Sequence, residues 1–284
     1  MKKIILSIAI YLLGIHVFSQ DKSAFTIFNS KGDIVTYETM IQSISNVDII
    51  LFGELHNNPI SHWLQYEVSL DLAQNNKLVF GAEMLEADNQ DELDLYLKNE
   101  INQKAFDTLA RLWPNYKTDY APLVDLAKEK QLKFIATNIP RRFAGMVNKK
   151  GFEALEQLTD EEKSWIAPLP IEYDPELPGY KNMLEMMGGH GGENLPKAQA
   201  VKEATMAYFI AQNLIDGYQF IHFQGTYHSD NYEGILWYLK KLKPNLKYIT
   251  ISSVSQSNVF QLEDENKNKA DFIICVDENM TSTY

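Results

Sequence analysis

The chain has 284 residues, a formal net charge of −12 at neutral pH and a single cysteine. The negative charge argues against nucleic acids and anionic membranes as partners, because both repel an acidic surface. With only Cys275 available, an internal disulfide and a cysteine-based zinc site are excluded. Cys275 lies in an apolar run, which we interpret as a strand that buries an unreactive thiol.

Residues 1–19 are interpreted as a secretory signal peptide. Lys2 and Lys3 form a positively charged start, residues 4–18 are apolar, and Ser19 precedes the expected cleavage site. The alternative, an uncleaved anchor helix, is disfavoured because the apolar run is shorter than the roughly 20 residues of a membrane span. No cysteine follows the run to carry a lipid. We therefore expect an exported protein of the periplasm or cell envelope, with residues 20–284 forming one domain.

The remaining sequence predicts strands that alternate with helices. Two short runs separated by turn residues predict a first hairpin, at 25–28 and 34–37. Further strands are predicted at 48–52, 78–82, 133–137, 220–224, 247–254, 259–262 and 272–276, the last of them following a polar turn at 263–269. Helices are predicted at 59–73, 88–97, 101–111, 118–130 and 197–216, and from about 140 and 230. The pattern indicates an α/β fold with a mostly parallel central sheet, helices on both faces and antiparallel hairpins at the edges.

One long interruption, residues 166–196, is rich in proline and glycine. Long loops inside a compact domain are usually functional or disordered. This one contains Met, Tyr and His residues, which disordered linkers generally lack. We therefore predict a mobile flap over one end of the sheet, with a purely structural excursion as the alternative.

Polar side chains follow several of the predicted strands. The pattern Gly-x-x-His occurs twice directly after an apolar run and supplies Glu54, His56 and His228, while Glu83 and Arg142 follow two other strands. The carboxyl ends of parallel strands form one edge of a sheet, so these groups are expected to meet in one site. Two imidazoles and two carboxylates suit acid–base catalysis or a divalent metal ion, and an arginine suits an anion.

Each of these residues also has a purely structural interpretation. His56 could cap a loop, and His228 could be a hydrogen-bonded polar residue beside a helix cap. Glu83 could form a buried salt bridge with Arg141 or Arg142 and take no part in chemistry. Under this interpretation the strand ends form an inert polar network, and the flap serves a protein partner.

Two further histidines are predicted to have ordinary roles. His62 is expected on the surface in the first turns of a helix, and His222 in the core between apolar neighbours. The patterns of phosphate-binding loops, of His-Glu-x-x-His metalloproteases and of Gly-x-Ser-x-Gly hydrolases are absent from the sequence. These absences disfavour nucleotide-dependent enzymes and serine hydrolases.

Several segments together resemble the ChaN-like family, haem-binding proteins of bacterial envelopes within the broader Tiki and erythromycin-esterase superfamily. The matching segments are residues 50–57, 81–84, 136–142, 186–191, 198–199, 204–207 and 225–228. Glu203 departs from the pattern, since an aspartate is expected there. The resemblance implies haem binding, export, a role in haem or iron acquisition, a homodimer that encloses haem, and an outer-membrane haem uptake system as a partner.

Haem iron accepts His, Tyr, Met and Cys ligands. We therefore expect haem under the flap, where a tyrosine is narrowly favoured over the histidine as the iron ligand. The cofactor-binding residues predicted in this way are Tyr173, Tyr180, Met186, Met187 and His190.

The resemblance also implies a competing function, because hydrolases of the superfamily use strand-end His and Glu residues to activate water, some of them with a metal. In that case His56 or His228 acts as the general base and Arg142 holds an anion. The predicted catalytic residues are Glu54, His56, Glu83, Arg142 and His228, and the predicted ligands of a divalent metal ion are Glu54, His56, Glu83 and His228.

Overall fold

The computed structural model of the chain describes residues 22–186 and 192–284. The predicted signal peptide lies outside these residues. One sheet runs through the described chain, and its strands are β1 (Phe25–Asn29), β2 (Ile49–Glu54), β3 (Leu78–Glu86), β4 (Lys133–Asn138), β5 (Gln219–Gly225), β6 (Tyr248–Gln256) and β7 (Phe272–Asp277). Their order across the sheet is β1-β7-β6-β2-β5-β3-β4. All neighbours are parallel except β1, which pairs antiparallel with β7. The predicted α/β fold with a mostly parallel sheet is confirmed.

Helices cover both faces of the sheet. They are α1 (Tyr37–Ile44), α2 (Pro59–Leu72), α3 (Gln90–Leu97), α4 (Gln103–Leu109), α5 (Ala121–Lys130), α6 (Arg141–Lys150), α7 (Asp160–Lys163), α8 (Pro178–Met186), α9 (Leu195–Gln212) and α10 (Ile235–Leu242). Helices α1–α5 enclose one apolar core, and α6, α9 and α10 enclose the other. Within the described residues no helix is both long and apolar enough to cross a membrane.

The central strands are buried on both faces, which explains why they read as continuous apolar runs in the sequence. In β2, Ile50 and Phe52 belong to the first core, whereas Ile49 and Leu51 belong to the second. This division follows from the two-residue period of a strand, whose successive side chains point to opposite faces. Since β2 lies in the middle of the sheet, its carboxyl end is surrounded by the ends of other strands.

The hairpin predicted at the start of the chain is formed only in part: the backbone N–H of Val35 donates to the Ile27 carbonyl at 2.9 Å, but no second strand follows. Ile34 makes only an isolated bridge with Phe28. Thr36 then caps α1, because its side-chain oxygen accepts a hydrogen bond from the backbone N–H of Thr39 at 3.1 Å. A cap of this kind starts a helix where apolar alternation alone predicted a strand.

The hairpin predicted between 259–262 and 272–276 is wrong, because residues 259–262 form no strand and β7 pairs in parallel with β6. Residues 259–262 lie in a turn region. The side-chain amide of Gln256 donates to the backbone oxygens of Asn258 and Gln261, at 2.6 and 2.7 Å, and so folds the chain locally. The antiparallel part of the sheet is therefore the pairing of β1 with β7.

The predicted flap contains α8, which packs against α9. The Tyr180 hydroxyl on α8 donates to Glu203 on α9 at 2.6 Å, and the backbone N–H of Gly179 donates to Glu233 at 2.8 Å. These two contacts attach α8 near the carboxyl end of the sheet, where Met183 reaches the surface of a cavity.

Candidate functional site

A cavity of about 1250 Å³ lies at the carboxyl ends of β2, β3, β4 and β5, and we call it the strand-end cavity. It exceeds the roughly 300–1,000 Å³ that small-molecule sites usually occupy. The five residues predicted from strand ends all line it: Glu54, His56, Glu83, Arg142 and His228. The apolar and aromatic lining includes Leu55, Leu112, Trp113, Pro114, Ile139, Met183, Leu195, Tyr227 and Tyr284.

The first Gly-x-x-His segment forms a carboxylate–imidazole pair, Glu54–His56. Glu54 is buried and accepts hydrogen bonds from Gln65 at 2.7 Å and from Tyr120 at 2.8 Å. The oxygen that accepts from Tyr120, Oε1, also lies 2.9 Å from His56 Nδ1. The His56 side chain is 43% exposed and packs edge-on against Trp113, with ring centroids 5.0 Å apart. One nitrogen of the ring is thus held by a carboxylate, and the ring itself borders the cavity.

The electrostatic surroundings of His56 favour its charged form. Burial alone would lower the pKa of the imidazole, but the hydrogen bond to Glu54 and the nearby Glu83 carboxylate outweigh burial and raise it. A raised pKa makes the imidazole a stronger base, which can take a proton from a reacting molecule and retain it.

A second layer of polar groups supports the backbone of His56. Its carbonyl oxygen accepts a hydrogen bond from Asn115 at 2.9 Å and lies 3.2 Å from His62 Nε2. The expectation that His62 lies on the surface is wrong, since it is buried. The Asn58 side chain caps α2 immediately after this loop, and the first turn of the helix therefore carries His62 back beneath the strand end.

The second Gly-x-x-His segment forms a buried ionic triad, Glu83–His228–Glu203. His228 Nε2 lies 3.1 Å from Glu83 and its Nδ1 lies 3.2 Å from Glu203. Burial opposes the charge on His228, but the two carboxylates outweigh it and raise the pKa of His228 to about 9. Burial alone would raise the pKa of Glu83, but the positive charge of His228 outweighs burial and holds this pKa well below its usual range. The ring is therefore a charged structural element with both nitrogens engaged.

Glycine at position 225 allows the Glu54–His56 pair and the Glu83–His228–Glu203 triad, which we call the His56 arm and the His228 arm, to approach each other. A Cβ placed there would lie 2.7 Å from His56 Nε2 and 3.5 Å from Glu83 Oε2. The backbone N–H of Gly225 also donates to Glu83 at 2.8 Å. The alternative salt bridge between Glu83 and an arginine is thus wrong, because histidine and backbone partners occupy this carboxylate.

Cationic side chains lie on the rim of the cavity. Arg142 binds Asp88 at 2.6 Å, and Arg111 binds the same carboxylate and also Glu86 at 3.0 Å. The lining also includes Arg141 and Lys202. This rim combines several positive charges at the mouth of a cavity whose floor carries carboxylates.

The predicted flap ligands occupy different places. Tyr180 is buried against Glu203, and burial together with this carboxylate raises its pKa, so the phenol keeps its proton. Tyr173 packs against Tyr180 with ring centroids 5.3 Å apart. Neither tyrosine lines the cavity; both anchor the flap instead. Met187, His190 and the side chain of Met186 lie outside the described residues, so their predicted role stays a prediction.

Within residues 22–186 and 192–284, no group of three or more His, Cys, Asp or Glu residues is arranged to hold a metal ion. The four predicted metal ligands are instead joined to each other and to neighbouring groups by the hydrogen bonds described above. His222 is a core histidine as predicted, because it is fully buried between Thr137 and Gln224, each 2.7 Å from a ring nitrogen. Burial lowers the pKa of His222 to about 4, so it stays neutral.

Sequence reasoning missed several residues of the site. Trp113 and Arg111 follow α4 in an irregular stretch, where no periodic pattern marks them. Glu203 was noticed only as a departure from a motif, although it accepts from both Tyr180 and Gln199 and pairs with His228. The available signal was its position on a helix beside Gln199, one turn apart, which places both on the same face.

In open parallel α/β sheets, ligand sites usually lie at the carboxyl ends of the strands, where the strand-end cavity is found. A family model described as haem-binding uptake, Tiki superfamily, ChaN matches residues 40–239. That match covers most of the chain and both Gly-x-x-His segments. The chain therefore belongs to the haem-binding ChaN family of the Tiki superfamily, as its motifs suggested.

Solved structures share the fold. A ChaN of Campylobacter jejuni, described as showing cofacial haem binding, has a TM-score of 0.67 and 18% identity, over 89% of this chain and 97% of that chain. A mutant erythromycin esterase in an open conformation has a TM-score of 0.53 and 8% identity, over 87% and 94%. A Bacillus cereus protein has a TM-score of 0.50 and 11% identity, over 89% and 95%. No curated protein is significantly similar in sequence.

Proposed function

We propose that this chain is an exported protein that binds haem in the strand-end cavity and serves haem or iron acquisition. Membership of the haem-binding ChaN family supports the ligand class. The observation that carries the proposal is the composition of one cavity, which combines apolar walls, a half-exposed histidine and a cationic rim. The three features match the three chemical parts of haem: its macrocycle, its iron and its propionates.

The walls suit a flat aromatic ligand. Trp113 and Met183 line the cavity together with several leucines. Ligand pockets bind mainly by burying apolar surface, with a few polar groups that fix orientation. Methionine adapts its shape to irregular surfaces and makes favourable contacts with aromatic rings. We therefore place the macrocycle between the 112–114 stretch and α8, the part of the flap that reaches the cavity.

His56 is the residue best suited to hold the iron. Histidines that bind metals commonly have their second nitrogen fixed by a carboxylate, as Glu54 fixes Nδ1 here. Binding would displace the proton that the carboxylates favour on the ring, so affinity depends on pH. Tyr227 also lines the cavity, but burial raises its pKa to about 12, and a phenolate is correspondingly harder to form.

The cationic rim would receive the propionates. Arg142 and Arg111 are both oriented by Asp88, and arginine is suited to two-point contact with carboxylates. Arg141 and Lys202 add charge at the same mouth. The propionates would thus point outward and the macrocycle would enter first.

The cellular setting belongs to the same proposal. The signal-peptide pattern of residues 1–19 supports export to the periplasm or cell envelope, where an outer-membrane haem uptake system is the expected partner. The proposal also includes a homodimer in which two copies enclose haem between them. Cofacial haem binding is described for the Campylobacter jejuni ChaN and is the arrangement proposed here.

Titration of the purified chain with haemin tests the proposal. We expect a shifted Soret band that saturates, and a loss of that shift in His56→Ala. Matched variants Tyr173→Phe and Tyr180→Phe are expected to keep the parent spectrum, since neither ring lines the cavity. If His190→Ala changes the band and His56→Ala does not, the iron lies under the flap instead. A spectrum no different from that of an unrelated acidic protein would exclude haem binding.

A hydrolase is the second candidate, and the Glu54–His56 pair favours it. A carboxylate that fixes one imidazole nitrogen leaves the other to take a proton from water. Glu83 lies next to that nitrogen across Gly225, and Arg142 could hold a developing anion at the rim. The test is hydrolysis of ester and peptide libraries with and without a chelator, with His56→Ala as the control. Turnover that is equally fast in His56→Ala comes from a contaminant and excludes the hydrolase function.

A further inference from the structure

The segment that follows β7 returns to the strand-end cavity and places an aromatic ring on its lining. Tyr284 lines the cavity, and its side chain is mostly exposed, with 72% of the residue accessible. The family match ends at residue 239, so this contact lies outside the part of the chain that defines the family.

Three contacts hold this segment in place. Met280 packs against the first apolar core. The backbone N–H of Thr283 donates to the Asn57 carbonyl at 2.9 Å, and its hydroxyl donates to Asp119 at 2.7 Å. Thr283 is thus hydrogen-bonded both to the residue after His56 and to Asp119, and the adjacent Tyr284 lines the cavity.

Asp119 connects the same segment to the support of His56. Asn115 donates to Asp119 at 2.6 Å and to the His56 carbonyl at 2.9 Å. The stretch from 112 to 119 also carries Trp113, which lies against the His56 ring. The anchor of Tyr284 and the aromatic wall of the cavity are therefore built on one stretch of chain.

We infer that Tyr284 is a ligand-binding residue that packs its ring against the bound macrocycle, and that Thr283 positions it. A tyrosine suits this place because its ring offers an apolar face while its hydroxyl stays in water. Because the ring is mostly exposed on the cavity lining, it gains contact area when a flat aromatic ligand enters. This inference rests on the proposed haem site.

Haemin affinity of the full-length chain and its variants tests the inference. We expect Tyr284→Ala to weaken binding roughly three- to tenfold, the range that aromatic contacts contribute. Tyr284→Phe should keep the parent affinity and Soret position, because the ring and not the hydroxyl makes the contact. Tyr218→Ala is the matched control, since Tyr218 is partly exposed beside the amino end of β5, at the opposite edge of the sheet.

Thr283→Ala separates positioning from contact. It should weaken haemin binding as well, and combining it with Tyr284→Ala should add little, because both changes remove the same contact. If the parent chain binds haemin and Tyr284→Ala binds equally well, the inference is wrong while the haem site stands. If Tyr284→Phe loses affinity as Tyr284→Ala does, packing of the ring is not the contact. Absence of haemin binding by the parent chain contradicts the proposed function itself.

Discussion

The two Gly-x-x-His segments have the same sequence pattern and follow adjacent parallel strands, yet their histidines differ in their surroundings. The His56 side chain is 43% exposed and has one carboxylate partner, whereas the His228 side chain is 6% exposed and lies between two. His56 pairs with Glu54, His228 pairs with Glu83 and Glu203, and the two groups meet at Gly225.

The difference shows that the motif fixes the position of a histidine in the fold, whereas the residues around that histidine determine its role. Glu203 on α9 occupies the second nitrogen of His228, and no such carboxylate closes off His56. A charged ring with two buried carboxylates has no nitrogen left for a ligand, while a half-exposed ring with one fixed nitrogen does. We therefore propose a structural role for His228 and ligand contact for His56.

The largest expected effect is on the free energy of unfolding. His228→Ala leaves Glu83 and Glu203 buried without their cation, which should cost about 3–5 kcal/mol. His56→Ala removes a half-exposed ring and one of three hydrogen bonds to Glu54, which should cost only about 1 kcal/mol. Urea unfolding of both variants measures the comparison. Equal losses would show that the two arms do not differ in the way described.

The pH dependence of the free energy of unfolding should come mainly from the His228 arm. The pKa of His228 is raised to about 9 from its ordinary 6.5, so its contribution is complete below about pH 6.5 and is lost as the pH rises through 9. The loss should be roughly 3 kcal/mol. The pKa of Glu83 is lowered, so its contribution is present above the ordinary carboxyl pKa and disappears as the pH falls through the lowered value.

Unfolding measured at several pH values checks this dependence. In His228→Gln most of the decline between pH 6.5 and 9 should disappear, while His56→Gln should retain most of it, because the pKa of His56 is also raised. A decline of the same size in His228→Gln would mean that another group titrates in this range.

Substitution by alanine should have different effects at Gly234 and at Gly225, the two glycines that contact the His228 arm and the His56 arm. Gly234 has a positive φ of 55°, and a Cβ there would meet the His228 carbonyl, so Gly234→Ala should cost about 1–3 kcal/mol. At Gly225 the obstacle is the His56 ring, which can rotate toward solvent at a cost below about 1 kcal/mol. Gly225→Ala should instead weaken haemin binding. A stable Gly234→Ala variant would contradict the rigid placement of His228.

The smallest effect is expected at the rim. Arg142→Gln should change the free energy of unfolding by less than about 0.5 kcal/mol. It should weaken haemin binding severalfold and make the affinity less dependent on salt, because it removes a charge whose attraction salt screens. Lys133→Gln is the matched control, since this exposed lysine begins β4 at the opposite edge of the sheet. An equal effect of both variants would indicate general charge attraction and no defined propionate contact.

Much of the fold could be predicted because the central strands are long apolar runs whose ends carry polar residues. The strand that ends at Glu54 and the one that ends near His228 were located within a residue or two. The edges were harder. The pairing of β1 with β7 joins chain segments more than 200 residues apart, and no local pattern marks it.

The candidate site was predicted as a set of strand-end residues but not as a network. Glu203 and His62 come from helices, and their burial depends on how α9 and α2 pack on the sheet. Local sequence also could not distinguish the exposed histidine from the buried one, because both follow a glycine and an apolar strand. That distinction arises only from tertiary neighbours.

The central claim is that haem occupies the strand-end cavity on the His56 side. The most direct test is the position of the iron atom, measured by anomalous diffraction at the iron edge from crystals grown with haemin. We expect one peak per bound haem inside the cavity, within bonding distance of His56 Nε2 and beside Trp113. A peak outside the cavity, or one on a ligand from the 187–191 stretch with His56 remote from it, would show that haem does not bind on the His56 side.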